Sequence, residues 1–262
     1  MLAIPFNQFD HNFCESTLYA DGPHPEYFNA LSSLFITFIG LNAMRKPHLT
    51  LFLYIMYACL AVNGVLSLLY HYHNSIGYGL LDRMSMVLLG FSTSYICYTS
   101  IKRLTHFSFY TNIFIHLSIV SYYSFLLTVA GLHDEFLFNA LFTAFLGSIA
   151  IYMYAIKMYI FYNEIHIDQQ VMALGWKGVR CIFASAIFWI VTEGLCGHLS
   201  FIKYLFGHVW WHIFVSYGGY LVSIVPRYIL LQKTDEIEIK YDGFGLPYIY
   251  VVDFTKNMCW VK

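Results

Sequence analysis

Charged side chains make up only 11% of this 262-residue sequence, against about 25% in an average soluble domain, and its 14 Lys and Arg are balanced by 15 Asp and Glu. A chain without basic excess cannot neutralise a phosphate backbone, which removes nucleic acid from the candidate partners. Six cysteines are too few for a disulfide scaffold, although one or two bridges are compatible with loops in an oxidising lumen. No internal repeat is visible, and no stretch is polar and long enough for a separate soluble domain. The opening residues Met1 to Gln8 lack a basic segment followed by an apolar one, so no cleaved signal peptide is expected and the first span directs insertion.

What the sequence has is apolar surface: 59% of its residues are hydrophobic and its mean hydropathy is +0.59, which points to lipid as the solvent. Disorder and a cytosolic globule are excluded. A spanning helix needs about 20 mostly apolar residues, and seven stretches qualify, at about 27–44, 49–72, 80–100, 107–131, 136–162, 178–198 and 204–232. The expected fold is all-α, a seven-transmembrane-helix bundle forming one membrane domain over 1–262. Within it, 1–25 is an N-terminal segment, 26–232 the bundle and 233–262 a tail. The many Tyr, Phe and Trp are read as interface and headgroup residues rather than as a cofactor box.

Lys and Arg are unevenly shared between the two sides. One side receives Arg45, Lys46, Lys102, Arg103, Lys157, Lys177, Arg180, Arg227, Lys233, Lys240, Lys256 and Lys262, and the other receives Arg83 and Lys203. The positive-inside tendency then predicts a cytosolic C-terminus and, across seven spans, a luminal N-terminus.

Ionisable groups inside spans are costly, so each one is a candidate for function. Ser67-Leu-Leu-Tyr-His71 closes the second span, Leu80-Leu81-Asp82 opens the third, and His208-Val-Trp-Trp-His212 lies near the start of the seventh. All three fall on the side assigned to the lumen. Helical residues four apart share a face, so His208 and His212 can point at one ion, and Ser67 lies one turn from His71. Three imidazoles and one open position are the ligand set of a catalytic zinc. Such a centre acts on water and carbonyl oxygens, with Asp82 as proton carrier and Ser67 as a donor to an oxyanion. Taken alone, His-x-x-x-His on a Trp-rich face more often describes packed, hydrogen-bonded histidines than a metal site. The intramembrane Asp82 and a third histidine at the same depth favour the metal, because a buried carboxylate otherwise lacks a rationale.

These motifs together resemble the alkaline ceramidases, seven-span hydrolases in a wider group that includes the adiponectin receptors. The resemblance covers nearly the whole chain and extends to Asn12-Phe13-Cys14-Glu15-Ser16-Thr17 and to Glu26 through Ser32. It implies zinc on His71, His208 and His212, catalytic roles for Ser67 and Asp82, and cleavage of ceramide to sphingosine and fatty acid in the endoplasmic reticulum or Golgi membrane. It also implies calcium on Asn12, Phe13, Glu15, Thr17 and Glu26, with Asn12 and Thr17 standing where the family has Asp and Asn. Fewer carboxylates weaken a calcium site, and Glu15 and Glu26 can instead serve a luminal turn and the positive end of the first helix. The resemblance pairs Cys14 with Cys196; the alternative is two buried thiols. Cys59, Cys97 and Cys181 are read as packing residues, and His73 and His116 as structural.

Two rivals share this design. One is a zinc-dependent phospholipase or other lipid hydrolase, separable by assaying ester and amide lipids side by side. The other is a receptor like the adiponectin receptors, which would place the N-terminus in the cytosol, against the Lys/Arg asymmetry. No obligate protein partner is indicated, and acyl-chain preference depends on packing around the pocket.

Overall fold

The computed structural model describes residues 6, 8, 10, 13–18, 25–105, 107–132, 134–165, 167–231 and 236–252. Among them, seven helices are long and apolar enough to cross a membrane. They are α1 (Tyr27–Met44), α2 (Leu51–His73), α3 (Ile76–Leu104), α4 (Phe109–Gly131), α5 (Glu135–Asn163), α6 (Gln169–Leu195) and α7 (Gly207–Leu231). Local signals set several of the starts. Thr50, Ser108, Asp134 and Asp168 each accept a backbone N–H in the first turn of the helix that follows, satisfying donors that no intrahelical carbonyl reaches. At the α2–α3 corner Asn74 takes a left-handed backbone (φ 47°), which ends α2 and turns the chain within two residues.

Helix α6 begins nine residues earlier than the hydropathy reading placed it. Gln169, Gln170 and Lys177 lower its mean hydropathy, but they lie on an exposed face, while Val171, Gly175, Gly178 and Val179 are buried at helical spacing. Helix α7 is the centre of the bundle, packing against α1, α3 and α6. It meets α6 at two glycines: a Cβ on Gly178 would stand 2.5 Å from the Gly218 carbonyl oxygen, and one on Gly218 would stand 2.7 Å from that of Gly178. Apolar burial does not distinguish a neighbouring helix from lipid, so this close backbone approach is what holds the pair. Gly178→Val is accordingly expected to force the helices apart and cost about 1–3 kcal/mol. The measurement is thermal unfolding in detergent, and an unchanged melting temperature would show that the contact carries no stability.

The segment expected as a tail contains further structure. Strands β1 (Glu236–Tyr241) and β2 (Pro247–Val252) form an antiparallel hairpin with Ile239 opposite Ile249. Leu246 and Ile249 are buried in the same core as the helices. Tyr220 Oη donates to the Pro247 carbonyl (2.6 Å), and the buried Arg227 guanidinium donates to the carbonyls of Ile249 (2.9 Å) and Pro47. Asp242, in the hairpin turn, pairs with Lys46 and accepts from Asn42 Nδ2 at 2.7 Å. Partial burial alone would raise this carboxyl. The donors Asn42 and Lys46 and the N–H groups of Leu246 and Phe244 instead hold it below the usual carboxylate range. Residues 236–252 of the segment expected as a cytosolic tail over 233–262 thus form a hairpin packed on the bundle, and the fold is an all-α bundle carrying one small hairpin.

Candidate active site

At the end of the bundle away from the hairpin, α2 delivers His71, and the first turns of α7 deliver His208 and His212 on one face. All three are buried. Their ring centroids are 4.7 Å (His71–His208), 5.2 Å (His71–His212) and 4.7 Å (His208–His212) apart. One ring nitrogen from each lies within 4.8 Å of the others, the one group of three or more His, Cys, Asp or Glu side chains among the described residues that can hold a metal ion.

The neighbours of the rings decide which nitrogens face inward. His71 Nδ1 is 2.7 Å from Glu26 Oε2, and a carboxylate accepts only, so Nδ1 carries the proton and Nε2 the lone pair. Ser32 Oγ, 2.8 Å from His212 Nδ1, gives its own hydrogen to the Asn29 carbonyl (2.9 Å), so it accepts from His212, which again leaves Nε2 as the donor nitrogen. Orientation through Nδ1–H is the usual support of metal-binding histidines. His208 differs: the Trp189 indole N–H donates to its Nδ1 at 3.1 Å. A ring nitrogen cannot both accept and carry a proton, so ligation through Nε2 requires Nδ1 to exchange the Trp189 contact for one to Glu193 Oε1, 3.9 Å away. A buried set of three imidazoles with two such braces fits zinc, whose borderline character suits neutral nitrogen donors.

Ser67 and Asp82 line the same cavity as the histidines. Ser67 lies one turn before His71, its hydroxyl 3.1 Å from Ser33 Oγ. Asp82 Oδ1 accepts from Asn63 Nδ2 (3.2 Å), and Asn63 also donates to Ser85 Oγ (2.8 Å), so a buried amide fixes the carboxylate from the neighbouring helix. Arg83, beside Asp82, also lines the cavity and lies 3.8 Å from Asp10, whose Oδ2 accepts from Tyr70 Oη at 2.8 Å.

The N-terminal segment straps this end of the bundle. Cys14 and Cys196 form a disulfide that ties the 3-10 turn Cys14–Leu18 to the end of α6. The backbone N–H of Cys14 donates to Glu193 Oε2 (2.7 Å) and that of Phe13 to Glu26 Oε1 (2.9 Å). These contacts set the Phe13 ring edge-on against His208, with centroids 4.4 Å apart. Glu26 therefore serves the strap with one oxygen and His71 with the other.

The described residues considered for calcium make contacts within the protein. Glu15 accepts the N–H groups of Phe28 (2.7 Å) and Asn29 (2.8 Å), capping α1 and placing a negative charge at its positive end. Thr17 donates to the Cys14 carbonyl (2.7 Å), and its hydroxyl lies 3.8 Å from Cys196 Sγ. Asn12 lies outside the described residues. Among the described residues the histidine triad is the one group of three or more His, Cys, Asp or Glu placed to hold an ion, and Glu15, Glu26 and Thr17 contribute contacts to the strap and to the cap of α1.

Sequence reasoning did not find Ser32, Trp189 and Glu193 as partners of the histidines, Asn63 as the partner of Asp82, or the bond from Glu26 to His71. Glu26 stands 45 positions before His71 and Ser32 180 before His212, so no local spacing could signal them. The cysteines away from the strap behave as expected, Cys59, Cys97 and Cys181 being free thiols. His73 is exposed and stacks on Tyr78 (4.7 Å), outside the triad, and His116 packs edge-on to Tyr98.

Comparison with known families gives one match: the family model described as Ceramidase aligns with residues 8–250 of the chain. No curated protein matches it at a significant level.

Proposed function

The chain belongs to the ceramidase family, and from that premise we propose that it is an intramembrane, zinc-dependent amidase that hydrolyses ceramide to sphingosine and a free fatty acid. The observation that carries this reading is the convergence of three buried imidazoles with Ser67 and Asp82 on one cavity. His71, His208 and His212 would hold the zinc, and the ion would supply a Lewis acid next to the scissile carbonyl.

The remaining work belongs to the chain's own side chains. Asp82, held by Asn63, takes the proton of the attacking water and passes it to the departing amine, so one carboxylate serves both halves of the reaction. Ser67, fixed by Ser33, donates its hydroxyl hydrogen to the carbonyl oxygen as negative charge develops there. Phe13, strapped down by the disulfide and by Glu26, covers the histidines and keeps bulk water from them. A site inside the bundle suits a substrate whose two hydrocarbon chains hold its amide at the membrane surface.

The Lys/Arg asymmetry supports placing the histidine end in the lumen and the hairpin end, with Arg45, Lys46 and Lys240, in the cytosol. The Cys14–Cys196 disulfide supports the same assignment, since such bonds persist in oxidising compartments. Residence in the endoplasmic reticulum or Golgi membrane is part of the same proposal. Zinc is the one cofactor proposed; the contacts of Glu15, Glu26 and Thr17 lend calcium no support.

Purified protein in nanodiscs, loaded with zinc and presented with ceramide and with phospholipid esters, provides the test. Release of sphingosine and fatty acid from ceramide, lost on chelation and restored by zinc, is expected. Ester cleavage without amide cleavage would transfer the site to a phospholipase, and turnover unaffected by exhaustive chelation would remove zinc from it.

A further inference from the structure

The cavity does not stop at the histidines. Along α7 it is bordered by Val215, Ser216, Gly219, Val222, Ser223 and Pro226, one continuous face running from the triad towards the hairpin. Pro226 lies fourteen residues beyond His212, about 21 Å at a rise of about 1.5 Å per residue. Helices α2 and α3 line it over a similar length, from His71 down to Met56 and from Asp82 down to Cys97. Below the site the walls are largely apolar, including Leu60, Met86, Leu89, Phe142, Leu146 and Ile182.

A polar pair lies towards the deep end. Tyr57, fully buried, has its hydroxyl 2.7 Å from Ser223 Oγ. Ser223 gives its single hydrogen to the Tyr220 carbonyl (2.6 Å), so Tyr57 is the donor in the pair. Beyond the pair come the Arg227 guanidinium and the hairpin carbonyl it binds. A hydrocarbon end that pushed past Tyr57 would break a buried hydrogen bond and meet a buried cation, and both are unfavourable at low dielectric. Halfway down, Gly219 leaves the passage open: a Cβ built there meets nothing within 4 Å. Its neighbour Gly218 faces α6 and is used in helix packing, so the two adjacent glycines serve opposite faces for different reasons.

We propose that this cavity is the tunnel for the substrate's acyl chain, that the Tyr57–Ser223 pair is its floor and sets the longest chain accepted, and that Gly219 is the position that keeps it passable. The proposal rests on the amidase reading above and extends it to chain-length selection. An extended chain advances about 1.3 Å per carbon, given C–C bonds of about 1.5 Å at tetrahedral angles. On that scale Gly219 is reached about 8 carbons from His212 along α7 and Ser223 about 13, while along α2 Tyr57 is reached about 16 carbons from His71.

The test compares the full chain with its Gly219→Leu variant in nanodiscs. Leu is a better helix former than Gly and its side chain enters open space, so the variant is expected to fold. Two measurements are made: turnover of N-acyl sphingosines carrying 6 to 24 acyl carbons, and displacement of a fluorescent C16 fatty acid by free fatty acids of 8 to 24 carbons. For the unaltered chain both are expected to fall off above about 18 carbons, and for Gly219→Leu the ratio of C16 to C8 is expected to fall at least tenfold. Tyr57→Leu, which removes the hydrogen-bonded floor, is expected to move the upper limit the other way. Ceramide turnover with identical chain profiles in all three proteins would overturn the tunnel while leaving the amidase reading standing. Fatty-acid binding with the expected shifts but no ceramide cleavage would leave the tunnel and overturn the amidase. Neither cleavage nor length-dependent binding would overturn both.

Discussion

Ceramide turnover by the His212→Ala variant is expected to fall by about a thousandfold or more, equivalent to at least about 4 kcal/mol of transition-state stabilisation, and its zinc content is expected to drop with it. The size follows from where His212 sits. It shares a helix face with His208 and completes the trio with His71 from α2. Its Nδ1–H is already committed to Ser32, so its other nitrogen has one use left, as a ligand. Removing it leaves two imidazoles, too few for the ion and with no substitute histidine among the described residues of the cavity. The bundle itself should survive, because the contacts that hold α7 to α6 and to the hairpin lie further along at Gly218, Tyr220 and Arg227. Zinc analysis, size-exclusion behaviour and turnover on the same preparation check all three points. Near-normal turnover from a monodisperse, metal-replete variant would sink the metal assignment.

Asp82→Asn separates proton transfer from metal binding. The amide keeps the shape of the carboxylate and can still accept from Asn63 Nδ2, so folding and zinc content are expected to stay near those of the unaltered chain. What it loses is the capacity to take up and release a proton, and general acid–base catalysis contributes about 10²–10⁴-fold. The expected outcome is therefore a fall in kcat of that size with little change in KM, since the role proposed for Asp82 is on the reacting atoms and not in anchoring the hydrocarbon chains. Loss of zinc in this variant would instead make Asp82 a support of the metal site. Unchanged kcat would assign the proton to another group.

These expectations draw unevenly on sequence and structure. The spans from α1 to α5 and α7 were legible because a lipid-facing helix must be apolar over most of its length, whatever it packs against. Helix α6 was legible only in part, because Gln169 and Lys177 point outward and dilute the average while Val171 and Gly175 point inward. The hairpin escaped notice for the converse reason. Its alternating pattern, Glu236-Ile-Glu-Ile-Lys-Tyr241, is too short to stand alone and is held through Arg227 and Asn42 on distant helices and Lys46 in the loop after α1.

The sequence by itself determined the solvent, the number of spans and the three places where polar chemistry interrupts them, because burying an ionisable side chain in hydrocarbon is costly enough to stand out against any background. Only the tertiary structure decided that those places meet. It turned Glu26 into the brace of His71, Ser32 into that of His212 and Asn63 into that of Asp82, and it ran a passage from the histidines to the Tyr57–Ser223 pair. Each of these contacts joins residues from different helices, and the side-chain distances that make them depend on how those helices cross, which no single stretch of sequence encodes.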